Sequence, residues 1–146
     1  PTYGTIEFRM CDGIPTLREV RSIAALAQAL VVWMDRRIDG GEPLPDIPSW
    51  VARENKWRAC RFGLDGRVMT DVTGNTQPFK ENIAEIVDLL QPVARDLGTL
   101  DALNGVREIL ETGSSANRQR RIVADGGSLK DVVALLREEL AAELQP

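Results

Sequence analysis

The sequence contains no histidine in its 146 residues. This absence excludes a Ser-His-Asp or Cys-His mechanism within the chain, and it excludes most zinc sites. A bound metal would need oxygen ligands, which favours magnesium, manganese or calcium. Cysteine is scarce as well. Cys11 and Cys60 lack the C-x-x-C spacing, so we expect reduced thiols in a cytoplasmic protein.

Long apolar runs and an excess of positive charge are also missing. No apolar run is long enough to cross a bilayer, and "PTYGTIEFRM" has neither the basic start nor the apolar core of a signal peptide. The 22 acidic residues outnumber the 18 basic ones, which gives a formal charge of -4. Because nucleic acids and anionic membranes attract a clustered positive field, this balance argues against both as the main partner.

What is present is ordinary globular composition, with 43% hydrophobic and 27% charged residues. The length is sufficient for one hydrophobic core. We therefore treat residues 1–146 as a single domain or part of one.

The first ordered element predicted is a strand in "GTIEFRMCDG", residues 4–13. Apolar Ile6, Phe8 and Met10 alternate there with polar residues, as in a strand with one buried face. A lone strand cannot satisfy its backbone hydrogen bonds. We therefore expect the rest of the sheet to come from a missing N-terminal portion or a companion chain, and we expect an oligomer.

The remainder predicts six helices. The first covers 16–37, with Thr16 as N-cap and Glu19 completing a capping box. Its apolar stripe is predicted to contain Val20, Ile23, Ala24, Ala27, Leu30, Val31 and Met34.

The later helices are bounded by similar local signals. Ser49 is the expected cap of the second helix and Gly63 its end. "LDGRVMTDVTGNTQ" is predicted to be irregular or briefly extended. A third helix starts near Pro78, and Pro92 is expected to kink or split it. The fourth ends at Gly113, the fifth covers "SANRQRRIVADGG", and the sixth starts with a Ser128–Asp131 capping pair. The fold class is α+β, mostly helical, with a front strand that belongs to an antiparallel sheet.

Glu7 and Arg9 leave the same face of the predicted strand. Pattern alone favours a solvated face, where charges are routine. The functional alternative is that the carboxylate binds Mg²⁺ while the guanidinium holds a phosphate oxygen.

"ENKWRACRFG" places Glu54, Arg58 and Arg61 on one side of a helix. One interpretation is a Glu54–Arg58 surface pair with Trp57 in the core. The other is an anion-binding face for a carboxylate or a nucleotide phosphate. The pattern does not separate the two.

"NRQRR" contains Arg118, Arg120 and Arg121, of which Arg118 and Arg121 share a helix face. A solvated basic turn is favoured by the pattern. Phosphate binding ranks second and RNA contact third, because no aromatic residues are interleaved.

Three segments together resemble the C-terminal part of the carboxylate–amine ligases related to glutamate–cysteine ligase type 2. They are "YGTIEFRMCD", "ENKWRACRFGLDG" and "SSANRQRRIVADGGSLKDVV", in the family's order and across nearly the whole chain. The first also resembles the Glu-x-Arg strand of glutamine synthetase, and there too an Ala-rich helix like "SIAALAQAL" follows.

The resemblance implies the C-terminal portion of a glutamine-synthetase-like fold and an ATP- and Mg²⁺-dependent ligase that forms an amide through an acyl phosphate. Amino acids are the implied substrates. Glu7 would be a metal ligand and Arg9 the catalytic group on the transferring phosphate. Asn55, Arg58 and Arg61 would bind nucleotide or carboxylate.

The family's N-terminal portion, with most of the sheet, has no counterpart in these residues. We therefore expect the isolated chain to bind ATP–Mg²⁺ poorly and to form no amide. The alternatives are a non-catalytic helical module that pairs with a partner through its front strand, and a regulatory domain that only binds nucleotide.

Overall fold

The computed structural model describes Thr2, Gly4, Thr5 and residues 7–144. This part of the chain is mostly helical, with a short 3-10 turn and one two-stranded sheet. Its elements are α1 Leu17–Asp39, α2 Ser49–Phe62, the 3-10 turn Gly63–Asp65, β1 Arg67–Met69, β2 Thr76–Pro78, α3 Phe79–Asp96, α4 Leu100–Thr112, α5 Ser115–Ala124 and α6 Leu129–Glu143.

The hydrophobic core lies where α1, α3 and α4 pack together. Burial of each large apolar side chain there stabilises the fold by about 1.5–3 kcal/mol. The buried core residues are Ala25, Ala29, Val87, Leu90, Val93, Ala94, Leu103 and Val106.

The predicted apolar stripe of α1 is correct only in part, since Leu30 packs against the core but the most buried residues of the helix lie outside the stripe. Val20 and Ala24 are exposed, whereas Ser22, Ala25 and Ala29 are buried. Apolar residues occur on most sides of this helix, so their period alone does not select a face. Close packing against α4 selects the small residues, because a Cβ added at Gly105 would lie 2.2 Å from Ser22 Oγ.

Most helix ends agree with the local signals, but α5 ends at Ala124 rather than at Gly127, and other local features differ as well. Glu19 N–H donates to Thr16 Oγ1 as predicted, but the Glu19 carboxylate accepts a hydrogen bond from the Thr16 hydroxyl instead of the Thr16 backbone N–H that a capping box uses. Pro48 rather than Ser49 is the N-cap of α2. Helix α3 is not split at Pro92, because buried Leu90, Val93 and Ala94 hold both sides of it in the core, while a kink at Pro92 stays a prediction. The Ser128–Asp131 capping box is confirmed.

The antiparallel sheet lies in the segment predicted to be irregular or briefly extended. In β1 and β2, Arg67 pairs with Pro78, Val68 with Gln77 and Met69 with Thr76. The α+β class is confirmed by this sheet and the helices.

The predicted front strand is wrong for the described residues of 4–13, none of which is in a strand. A strand needs a neighbour for its backbone groups, and the described sheet contains only β1 and β2. Ile6, part of the predicted strand, lies outside the described residues.

Helices α5 and α6 pack on each other and join the bundle at α1. Both begin with capping boxes, Ser114 with Asn117 and Ser128 with Asp131. In the described residues, no helix is both long and apolar enough to pass through a membrane.

Candidate functional site

Glu7 and Arg9 form an ion pair, with Arg9 Nε 2.8 Å from Glu7 Oε2. The side chains of Glu7 and Arg9 are 66% and 82% exposed, so the pair lies in solvent and is not enclosed by a binding pocket. This is the solvated arrangement that the pattern favoured. The roles of Glu7 as metal ligand and of Arg9 as phosphate-binding group stay predictions.

Asn55 connects α2 to the hairpin formed by β1 and β2. Its Nδ2 donates to the Met69 carbonyl at 2.9 Å, and its Oδ1 accepts from Met69 N–H at 2.7 Å. The side-chain amide therefore pairs with β1 as a neighbouring strand would. Nucleotide binding by Asn55 stays a prediction, but both polar atoms of its amide are already hydrogen-bonded to the Met69 backbone.

Arg58 and Arg61 lie on the same helix with different contacts. Arg58 Nε lies 2.8 Å from Glu54 Oε1, which is the surface pair of the first interpretation. The Arg61 guanidinium carbon lies 5.5 Å from the centre of the Phe62 ring, close enough for a cation–π contact. Arg58 is committed to a carboxylate, while Arg61 lies beside an aromatic ring.

The aromatic residues of α2 form an exposed edge rather than a core. Trp57 is 55% exposed and contacts Phe62 edge-on, with ring centres 5.7 Å apart. The expectation that Trp57 is buried is therefore wrong, because only Val51 of α2 is buried. An arginine beside exposed aromatic rings can accept an anion and stack on a planar group.

The loop between β1 and β2 is held by one carboxylate, a feature the sequence reasoning missed. Asp71 accepts hydrogen bonds from the hydroxyl of Thr73 at 2.7 Å and the side-chain amide of Asn75 at 2.6 Å. These bonds, with further ones from the backbone N–H groups of both residues, lower the pKa of Asp71 to about 2. Asp-x-Thr-x-Asn is a recognisable signal for such a turn.

The three arginines of "NRQRR" do not act together. Arg120 and Arg121 are exposed, as expected for a solvated basic turn. Arg118 is instead paired with Glu19 and Glu139, and its side chain is only 19% exposed. The solvated interpretation is therefore wrong for Arg118, because its partners lie far away in the sequence.

The described residues do not fit a complete magnesium site. Within 7–144 and the described residues before it, no three His, Cys, Asp or Glu side chains are placed to share a metal ion. Glu7 alone supplies too few oxygen ligands for Mg²⁺.

Comparison with known proteins identifies the family. The model of glutamate–cysteine ligase family 2 matches residues 1–135. The chain belongs to this family. The matched range includes the three segments that first suggested the likeness.

Curated relatives match almost the whole chain. A Thermobifida fusca protein named "Putative glutamate--cysteine ligase 2" is 48% identical over 97% of this chain. A protein of the same name from Mycobacterium ulcerans is 45% identical over 96% of the chain. The chain covers 36% of each relative's length, a C-terminal part.

Proposed function

We propose that this chain is the C-terminal part of an ATP- and Mg²⁺-dependent carboxylate–amine ligase of the glutamate–cysteine type. The observation that carries the proposal is the family match over residues 1–135. The names of the relatives support glutamate and cysteine as the substrate pair. The exposed free thiols Cys11 and Cys60 suit a cytoplasmic setting.

The proposed reaction has two steps. A carboxylate oxygen of one amino acid attacks the γ-phosphorus of ATP, and ADP leaves with the electrons of the broken P–O bond. The amine of the second amino acid then attacks the acyl carbon, phosphate leaves, and the nitrogen loses a proton to give the amide.

Arg9 would bind the transferring phosphoryl group in this scheme. A guanidinium fork matches two phosphate oxygens, and positive charge placed beside them stabilises the charge that spreads over the phosphoryl group. In the isolated chain Glu7 neutralises Arg9 in solvent. The catalytic arrangement therefore requires that neighbouring structure separate and enclose the pair.

The α2 surface would contribute to nucleotide or carboxylate binding through Arg58 and Arg61. Exposed Phe62 lies beside Arg61 and contacts Trp57, and the exposed Trp57 ring would offer a stacking face for a planar base. Ligand contact by Asn55 would cost its bonds to Met69. We therefore assign Asn55 the placement of the hairpin next to this surface.

Magnesium binding would need ligands beyond the described residues. Glu7 would contribute one carboxylate, and the described residues contain no group of three Asp, Glu or Cys side chains that could hold the ion with it. We therefore propose that the isolated chain forms no amide.

A chimera tests the proposal. The N-terminal part of the Thermobifida fusca relative, which lies outside the match, is fused to this chain and supplied with glutamate, cysteine and ATP–Mg²⁺. We expect ATP-dependent dipeptide and ADP from the chimera and neither from the chain alone. Activity of the purified 146-residue chain would contradict the proposed dependence, and an inactive but folded chimera would contradict the ligase assignment.

A second candidate function is a non-catalytic interaction or regulatory module. Exposed apolar residues favour it: Met10 and Leu129 are each 77% exposed, and Leu144 is 64% exposed. Under this proposal the chain would bind the relative's N-terminal part in a pull-down, yet the chimera would hydrolyse no ATP.

A further inference from the structure

Arg118 of α5 contacts carboxylates from two other helices. Its Nη1 and Nη2 lie 2.9 and 3.2 Å from the two carboxylate oxygens of Glu19, in α1. Its Nε and Nη2 lie 2.6 and 3.3 Å from those of Glu139, in α6. Nη1 also donates to the Gly113 carbonyl at 3.0 Å. The planar guanidinium is thus held on several sides at once.

This cluster is more buried than the other ion pairs of α1. The side chains of Arg118, Glu19 and Glu139 are 19%, 10% and 18% exposed, whereas the Arg36–Asp96 pair is at least half exposed. Burial by itself would lower the pKa of Arg118, but its hydrogen bonds to Glu19 and Glu139 outweigh this and raise the pKa. The N–H groups of the charged guanidinium are therefore occupied by carboxylates of the protein itself.

Glu19 transmits this contact to the beginning of α1. Its carboxylate accepts a hydrogen bond from the Thr16 hydroxyl at 2.9 Å, and its N–H donates to Thr16 Oγ1 at 3.2 Å. Thr16 is the N-cap and is 6% exposed. Arg118 therefore holds the residue at which the preceding segment enters the helix.

The segment before α1 also lies against the start of α5. Residues 12–15 and 114–116 line a shallow cavity of about 210 Å³, together with Ile23 and Ile109. The Arg118–Glu19 ion pair and this cavity, which Glu19 also lines, thus both lie between α5 and the segment that follows Arg9.

We propose that Arg118 is a positioning residue that, through Glu19 and Thr16, sets where the segment carrying Glu7 and Arg9 lies relative to α5. The geometric part of this inference concerns the chain itself. Its consequence for catalysis rests on the proposed ligase function.

The geometric part is tested in the 146-residue chain with a nitroxide on exposed Cys11, after Cys60→Ser. The label broadens the NMR signals of nearby amides in α5, and the effect falls steeply with distance. Arg118→Lys keeps the charge but cannot reproduce the planar fork. We expect a several-fold loss of broadening at residues 115–119 in Arg118→Lys and in Glu19→Gln.

Two control variants separate positioning from general destabilisation. Arg36→Lys alters an arginine–carboxylate pair of α1 at the opposite end of the helix. Val132→Ala weakens the packing of α6 and leaves the side chains of Arg118, Glu19 and Glu139 unchanged. We expect both to keep the broadening of the parent chain. Unchanged broadening in folded Arg118→Lys and Glu19→Gln would overturn the inference, as would an equal loss in the controls.

The catalytic consequence is tested in the chimera. Misplacement of reacting groups by about 1 Å can cost about 100-fold in rate, so we expect Arg118→Lys to lower kcat by about 10- to 100-fold, with Arg36→Lys close to the parent. Loss of broadening with unchanged kcat would support the positioning role of Arg118 and contradict its effect on catalysis. An inactive parent chimera would count against the ligase function, while the NMR result would still decide the positioning.

Discussion

The side chain of Asn55 and the backbone of Met69 form a reciprocal pair of hydrogen bonds, at 2.9 and 2.7 Å. This pair attaches β1 to α2 and brings the hairpin to the surface that carries Arg58 and Arg61. An amide is the one common side chain that offers a donor and an acceptor in this geometry.

Asn55→Ala is expected to lower the free energy of unfolding by about 1–3 kcal/mol, because two partly buried backbone groups of Met69 lose their partners. The free energy of unfolding of Asn55→Asp should lie between those of the parent and Asn55→Ala, since the aspartate keeps only the hydrogen-bond acceptor. Urea unfolding measures the change. Asn104→Ala, at an exposed site in α4, is the matched control, and an equal effect in that variant would contradict the account.

Gly105→Ala is expected to destabilise the α1–α4 contact by about 1–3 kcal/mol through overpacking, because its Cβ would lie 2.2 Å from Ser22 Oγ. In a Ser22→Ala background the nearest remaining atom is the residue-22 Cβ at 3.4 Å. There the substitution should cost little, or gain up to about 1 kcal/mol from helix propensity. A double-mutant cycle by thermal unfolding measures this coupling. Additive effects would show that the close approach does not occur.

The carboxyl group of Asp71 is expected to titrate with a pKa of about 2 in the folded chain, below its ordinary value of 3.8. A lowered folded-state pKa means that the contribution of Asp71 to stability is present above pH 3.8 and is lost as the pH falls through 2. Carbon-detected NMR titration of the side chain measures the midpoint. Thr73→Ala removes the hydrogen bond that contributes most to the lowered pKa of Asp71, so the pKa should rise in this variant. A midpoint near 3.8 in the parent would contradict the loop geometry.

Local signals in the sequence predicted most helix boundaries. Ser128 and Asp131 are three residues apart, and Gly63 and Gly113 end helices with φ of +56° and +92°. Such features need only neighbouring residues, so they can be recognised without a tertiary structure.

Features that depend on distant residues were not predictable. Arg118 and Glu19 are separated by 99 positions, and nothing in "NRQRR" distinguishes Arg118 from its solvated neighbours. The buried face of α1 depends on Gly105 of α4 in the same way. The front strand failed for a related reason: its alternating pattern describes a residue preference, whereas a strand forms only beside another strand.

Glu7→Gln in the chimera is expected to lower the rate of amide formation by about 100-fold or more, because the neutral amide cannot replace a charged oxygen ligand. Glu42→Gln is the control, since Glu42 is also an exposed carboxylate in an ion pair, with Arg37. Steady-state ADP release measures both rates. Normal turnover in Glu7→Gln would remove Glu7 from the proposed site.

Arg9→Lys in the chimera is expected to lower kcat by about 10-fold or more, because an ammonium group does not reproduce the guanidinium fork on a phosphoryl group. Arg21→Lys changes an exposed ion-paired arginine of α1 and serves as the control. Near-normal kcat in Arg9→Lys would favour the solvated-face interpretation of the Glu7–Arg9 pair.

The fate of carboxylate oxygen tests the central claim most directly. The chimera is given cysteine, ATP–Mg²⁺ and glutamate labelled with ¹⁸O in the reacting carboxylate, and the released phosphate is examined by mass spectrometry. An acyl phosphate requires that one labelled oxygen pass from glutamate to inorganic phosphate for each amide formed. Unlabelled phosphate, or label in AMP, would contradict the proposed ligase chemistry.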